Sequence, residues 1–170
     1  MKLSVPFFRQ KTDYTCGPAC LRMLFAFHHK RLPENVIARK AGTRPDTGTA
    51  RSAMLRAARS QGFTCRMNSS AQWSDVMDCL KQGMPVLIEY REPSSDEGHY
   101  SLVVGTRGKE VLLHDPWNGM QFTMNAHELK ERWHSHRTKE KNRGWMMTVM
   151  PRTEAVHRTH VTGMHIRTFA

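Results

Sequence analysis

The apolar residues of this chain change period halfway along it, and that change restricts the fold more than any single motif does. In the first half they recur mostly at helical spacing. "GPACLRMLFAFHH" brings Ala19, Cys20, Met23, Leu24 and Phe27 to one helix face, with Pro18 in the first turn, where a missing N–H costs nothing. A second short helix is expected through "PENVIARKAG", ending at Gly42, and a third through "ARSAMLRAARSQG", with Gly62 just past its end. "FTCRM" reads as a strand, and "SSAQWSDVMDCLKQG" as a capped helix with Trp73, Val76, Met77 and Leu80 turned inward. The second half is made of short apolar runs, "MPVLIEY", "HYSLVVG", "KEVLLHD", "MQFTM" and "WMMTVM", all read as strands. One helix, "AHELKERWH", interrupts them after the cap residue Asn125. Helices first and a mostly antiparallel sheet second make an α+β fold, with N-terminal helices packed on the sheet.

At 170 residues the chain is long enough to bury one substantial core without disulfides. A single domain is expected over residues 1–150, followed by a basic, His-containing tail, 151–170, expected to be mobile. No segment approaches the roughly 18 consecutive apolar residues of a membrane span. The start, "MKLSVPFFRQ", lacks the apolar core and cleavage site of a secretory signal, so the expected compartment is the cytoplasm. There Cys16, Cys20, Cys65 and Cys79 should remain thiols. No C-x-x-C pair supports structural zinc, and the spacing of His157, His160 and His165 in the tail is poor for a metal site. The formal charge of +11 predicts attraction to polyanions or acidic partners. No RNA- or DNA-binding motif accompanies it, which argues against a nucleic-acid partner.

Cys16 is the residue that composition does not explain. It stands between Thr15 and Gly17-Pro18, where the first helix begins. A thiol attacks as its thiolate, and both a helix N-terminus and a neighbouring imidazolium favour that form. Gly17 would allow a substrate backbone to come close. The Cys16 amide is placed to form half of an oxyanion hole, and the side-chain NH₂ of Gln10, six residues upstream, is placed to form the other half. Cys20 falls on the apolar helix face and reads as core.

The base comes from a hairpin. "GHYSLVVGTRGKEVLLHDP" holds two apolar runs separated by Thr106, Arg107 and Gly108, and a three-residue loop wants a left-handed residue third, where Gly108 stands. That register sets Gly105 against Lys109 and His99 directly opposite Asp115, on the same face. A two-residue loop would break the alignment. His114, the competing imidazole, alternates to the face opposite Asp115. Asp115 before Pro116 also has the pattern of a plain turn starter. Cys16, His99 and Asp115 together suit nucleophile, general base and orienting acid.

"RQKTDYTCGPACLRML", "GHYSLVVG" and "LLHDPWNG" resemble the peptidase C39 family over roughly residues 5–150. The resemblance implies a papain-like fold, with Gln10 in the oxyanion hole, Cys16 as nucleophile, His99 as base and Asp115 as orienting acid. Family members best known as the peptidase domains of bacteriocin-exporting transporters cut leader peptides after a double glycine. Thr15 stands where those domains usually carry Asp, and no transporter or ATPase segment follows, so the expectation is a stand-alone relative. The reading that follows is a cysteine peptidase or related amide hydrolase acting on a peptide or protein through an acyl-enzyme, without metal or organic cofactor. An acyltransferase using the same site, and a non-catalytic peptide- or polyanion-binding module, are the alternatives. Loops such as "TRPDTGT" and "REPSSDEG" are expected to wall the substrate cleft, with Trp117 a further candidate.

Overall fold

The computed structural model describes residues 1–134 and 143–152. The tail from residue 153 on, with its three histidines, and most of the polar stretch "WHSHRTKEKNR" lie outside them, while Pro151, expected to begin the tail, ends the last strand. The elements run α1 (Cys16–Phe27), α2 (Glu34–Lys40), α3 (Arg51–Ser60), β1 (Phe63–Asn68), α4 (Trp73–Lys81), β2 (Val86–Arg91), β3 (Gly98–Arg107), β4 (Glu110–Asp115), β5 (Gly119–Asn125), α5 (Ala126–Arg132) and β6 (Met146–Pro151). Six strands form one antiparallel sheet in the order β1-β6-β2-β3-β4-β5. The α+β architecture read from the change of period is the one observed.

Alternation along each strand sends neighbouring side chains to opposite faces, and each face has its own apolar layer. Leu87, Leu102, Val104, Leu112 and Met147 pack with α1 and α3. Val86, Ile88, Val103, Leu113 and Met146 pack with Val76 and Leu80 of α4, Leu129 of α5 and Trp133. The helix α1 is the most enclosed element. Leu21 and Phe25 are buried along with Ala19, Cys20, Met23 and Leu24, whereas Phe27 is only partly covered. The single apolar face expected of it is therefore wider in the structure, because α2, α3 and the sheet surround the helix. Helix ends follow their chemistry. Gln72 and Asp75 form a capping box on α4, and the Asn125 side chain accepts the His127 amide at 2.9 Å. Among the described residues no helix is long and apolar enough to cross a membrane.

The β3–β4 hairpin differs from its expected register. Arg107 pairs with Glu110, so the loop has two residues, Gly108 and Lys109, rather than three. Gly108 takes a φ of 59° as the first of the two, where type II′ loops favour glycine. From there Gly105 pairs with Leu112, a register that would set Asp115 on the face opposite His99. A bulge restores it. Val104 is an extra residue, after which Val103 pairs with Leu113 and Leu102 with His114. His99 and Asp115 thus share a face for a reason different from the expected one.

Candidate active site

Three elements deliver the site. Cys16 is the first residue of α1, His99 the second of β3 and Asp115 the last of β4. His99 Nε2 lies 3.1 Å from Asp115 Oδ1, and Cys16 is close enough to favour the charged form of the ring. With Nε2 committed to the carboxylate, the ring nitrogen left for sulfur is Nδ1. Cys16 and His99 are each 8% exposed and Asp115 is wholly buried. Burial lowers the His99 pKa, but the bonds to Asp115 and Cys16 and the charges of both outweigh it, and the value rises to about 10. Burial likewise raises the Asp115 carboxyl, which His99, the Asn118 amide and Tyr90 together hold below its ordinary value.

Asp115 is held from every side. Its Oδ1 accepts the backbone N–H groups of Trp117 at 3.0 Å and Asn118 at 2.8 Å, the Asp-turn geometry its Asp-Pro context suggests. The turn-starter role and the role beside His99 are filled by the same carboxylate. Oδ2 accepts the Tyr90 hydroxyl at 2.9 Å. Tyr90 pairs directly with His99 across β2 and β3, and its ring meets the imidazole edge-on, with centroids 5.9 Å apart. Asn118 Nδ2 bridges Asp115 to Glu92 Oε1 at 3.1 Å. Glu92 Oε2 is in turn bound by the amides and hydroxyls of Ser94 and Ser95. Tyr90, Glu92 and Asn118 were absent from the residues picked out in the sequence. "DPWNG" carried a signal for Asn118, since a side chain three residues after an Asp turn folds back on it, but nothing local marks Tyr90 or Glu92.

The other expected residues fall as follows. Gln10 is 8% exposed, and its backbone N–H donates to Pro116 O at 3.0 Å, which ties its segment to the turn after Asp115. Its side-chain Nε2 donates to Thr12 O at 2.7 Å, and Oε1 has no partner among the described residues. Thr15 is the N-cap of α1, yet its hydroxyl bonds Thr12 instead of capping, so the first turn is left without a side-chain cap. Gly17 is tightly packed, because a Cβ there would stand 2.8 Å from Met54 Sδ and 3.2 Å from Thr49. Cys20 is fully buried, and desolvation is the largest cause raising its pKa. His114 is also buried, edge-on to Phe7 and apart from the pair, on the face alternation assigns it. All four cysteines are free thiols. Among the described residues no three His, Cys, Asp or Glu side chains come together in a way that could hold a metal ion.

Cys16 opens on a cleft of about 800 Å³. One wall is the turn Pro45–Thr47 with Gly48 and Thr49, from the "TRPDTGT" loop, and Glu97 and Gly98 come from "REPSSDEG". Tyr100 fastens these walls together, its hydroxyl donating to Thr49 O at 3.0 Å. Trp117, half exposed, is not among the lining residues.

A helix that starts at a thiol and packs on an antiparallel sheet carrying a His-carboxylate pair is the arrangement of the papain-like fold, and solved structures bear out that class. The peptidase domain of Streptococcus ComA, a bi-functional ABC transporter involved in quorum sensing, superposes with a TM-score of 0.70 at 18% identity, covering 85% of this chain and 96% of that one. A double glycine motif protease from an AMS/PCAT transporter, in complex with its leader peptide, gives a TM-score of 0.69 at 22% identity, covering 88% and 94%. The chain belongs to the Peptidase_C39 like family, which it matches over residues 2–140. It is also 29% identical to an uncharacterized protein of Methanothermobacter marburgensis over 111 residues, 65% of this chain and 71% of that protein. Family and fold are those of peptidases.

Proposed function

We propose that this protein is a cysteine peptidase, or a closely related amide hydrolase, using Cys16 as nucleophile, His99 as general acid-base and Asp115 as its orienting carboxylate. The observation that carries the reading is the His99–Asp115 pair beside Cys16, whose side chain lines a cleft large enough for a peptide. The thiol proton passes to His99, and the sulfur attacks the scissile carbonyl to form a C–S bond. The oxyanion is met by the Cys16 N–H at the uncapped start of α1 and by the second N–H of the Gln10 carboxamide. The C–N bond then breaks as His99 returns the proton to the leaving amine. Water, deprotonated by the same imidazole, releases the acid and restores the thiol.

Turnover of a mixed peptide pool by the wild type and by Cys16→Ala tests this. Turnover should fall by at least about a thousandfold in the variant, with the fold retained. Equal hydrolysis by both proteins would refute the mechanism. Including an added amine in the wild-type reaction separates hydrolysis from transfer, since transfer leaves amine adducts in place of free acids.

A further inference from the structure

The cleft beside Cys16 has a charge opposite to that of the chain. Against a formal net charge of +11, the lining residues include Asp13, Asp46, Glu89 and Glu97 and one basic side chain, Arg51, among the described residues. Arg51 Nε donates to Glu89 Oε2 at 2.5 Å and its guanidinium lies over the Trp145 ring, so its charge is met by Glu89, although its buried Nη2 has no partner among the described residues. Asp46 sits on the turn at the outer wall and pairs with Arg44 at 3.3 Å. Asp13 and Glu97 are exposed, and neither makes an ion pair among the described residues. Asp13 stands three residues ahead of Cys16 on the segment entering α1, and Glu97 two residues ahead of His99 on the segment entering β3. The two unpaired carboxylates therefore stand on the two walls whose meeting makes the site. A concave surface with low-dielectric walls concentrates the field of such charges.

We infer that the peptide accepted by this cleft carries a cationic side chain beside the reacting carbonyl, with Asp13 and Glu97 as the groups that select it. The inference rests on amide hydrolysis at Cys16, and it reverses the preference for acidic partners that net charge alone suggests. Asp13 and Glu97 touch none of the reacting atoms, and their effect is on which peptide is held.

The test is the rate at which Cys16 is alkylated in the full chain by iodoacetyl-Gly-Arg-amide and by iodoacetyl-Gly-Glu-amide, read by site-resolved mass spectrometry. In about 0.02 M salt the cationic probe should react at least about tenfold faster, and in about 0.5 M salt most of that ratio should vanish. Asp13→Asn and Glu97→Gln should each lower the ratio, and the double variant should bring it close to one. A wild-type ratio near or below one, or a ratio unchanged in the double variant, would overturn the inference. So would a Cys16 that resists both probes in the native protein and reacts only in urea. Labelling needs no turnover, so the two readings fail separately. A strong cationic preference without hydrolysis of any peptide would remove the peptidase and leave the charge selection, while hydrolysis with no charge preference would do the reverse.

Discussion

His99 stands beside a carboxylate and a thiol, and its charge state follows from that. Its pKa lies near 10 because two acceptors of positive charge offset the cost of burial. Protonation of the leaving amine requires the imidazolium, so kcat/KM for peptide hydrolysis should fall as pH rises through about 10. Asp115→Asn removes the larger of the two supporting bonds and should move that alkaline limb to lower pH, as a pH-rate profile of the variant would record. Tyr90 acts one step further out. Tyr90→Phe leaves Oδ2 of a fully buried carboxylate without its hydroxyl donor and should cost about 2 kcal/mol in a urea melt. Because Asp115 loses one of the bonds that hold its oxygens in place, the same variant should shift the alkaline limb as well as the melt; a purely structural Tyr90 would move only the melt.

At the scale of elements, a single inserted residue in β3 decides whether His99 and Asp115 share a face. The Val104 bulge turns a register that would separate His99 from Asp115 into one that aligns them. Gly105 follows directly, and the N-terminal segment crosses it through a bridge from Lys2. A Cβ at Gly105 would lie 2.3 Å from Met1 O and 2.8 Å from Lys2 Cα, both backbone atoms that cannot swing away as a side chain could. Gly105→Ala should therefore lift the first residues off the strand and destabilise the fold by about 1–3 kcal/mol, measured by urea denaturation.

Across the whole molecule, the same carboxylates that organise the site set its tolerance of acid. Asp115 and Glu92 are both held below their ordinary pKa, Asp115 against burial by His99, Asn118 and Tyr90, and Glu92 against burial by Ser94, Ser95 and Asn118. A depressed folded-state pKa contributes stability that is present above the unfolded value and is lost as pH falls through the folded one. Stability should thus drop below the ordinary carboxylate range, and Asp115→Asn should show a shallower decline with pH in acid titrations followed by circular dichroism.

The sequence by itself determined what depends on neighbours along the chain. The change of period placed all eleven elements, because burying one face imposes spacings of two or 3.6 residues that local sequence must carry. The position of Cys16 at a helix start and the placing of His99, not His114, on the face of Asp115 were legible for the same reason. What crosses between elements was not. The hairpin's two-residue loop and its compensating bulge leave no periodic mark, and the expected three-residue loop set His99 and Asp115 on one face through a register the structure does not have. The packing of Gly17 against Met54 and Thr49 comes from a different helix and loop and has no mark in its local sequence. Tyr90 and Glu92 meet Asp115 or its partner Asn118 only because β2 lies beside β3, which is a fact of sheet order. The charge of the cleft is the clearest instance. Net charge sums every residue equally, but a ligand in the cleft meets the residues that line it, and the charged ones among them are mostly negative.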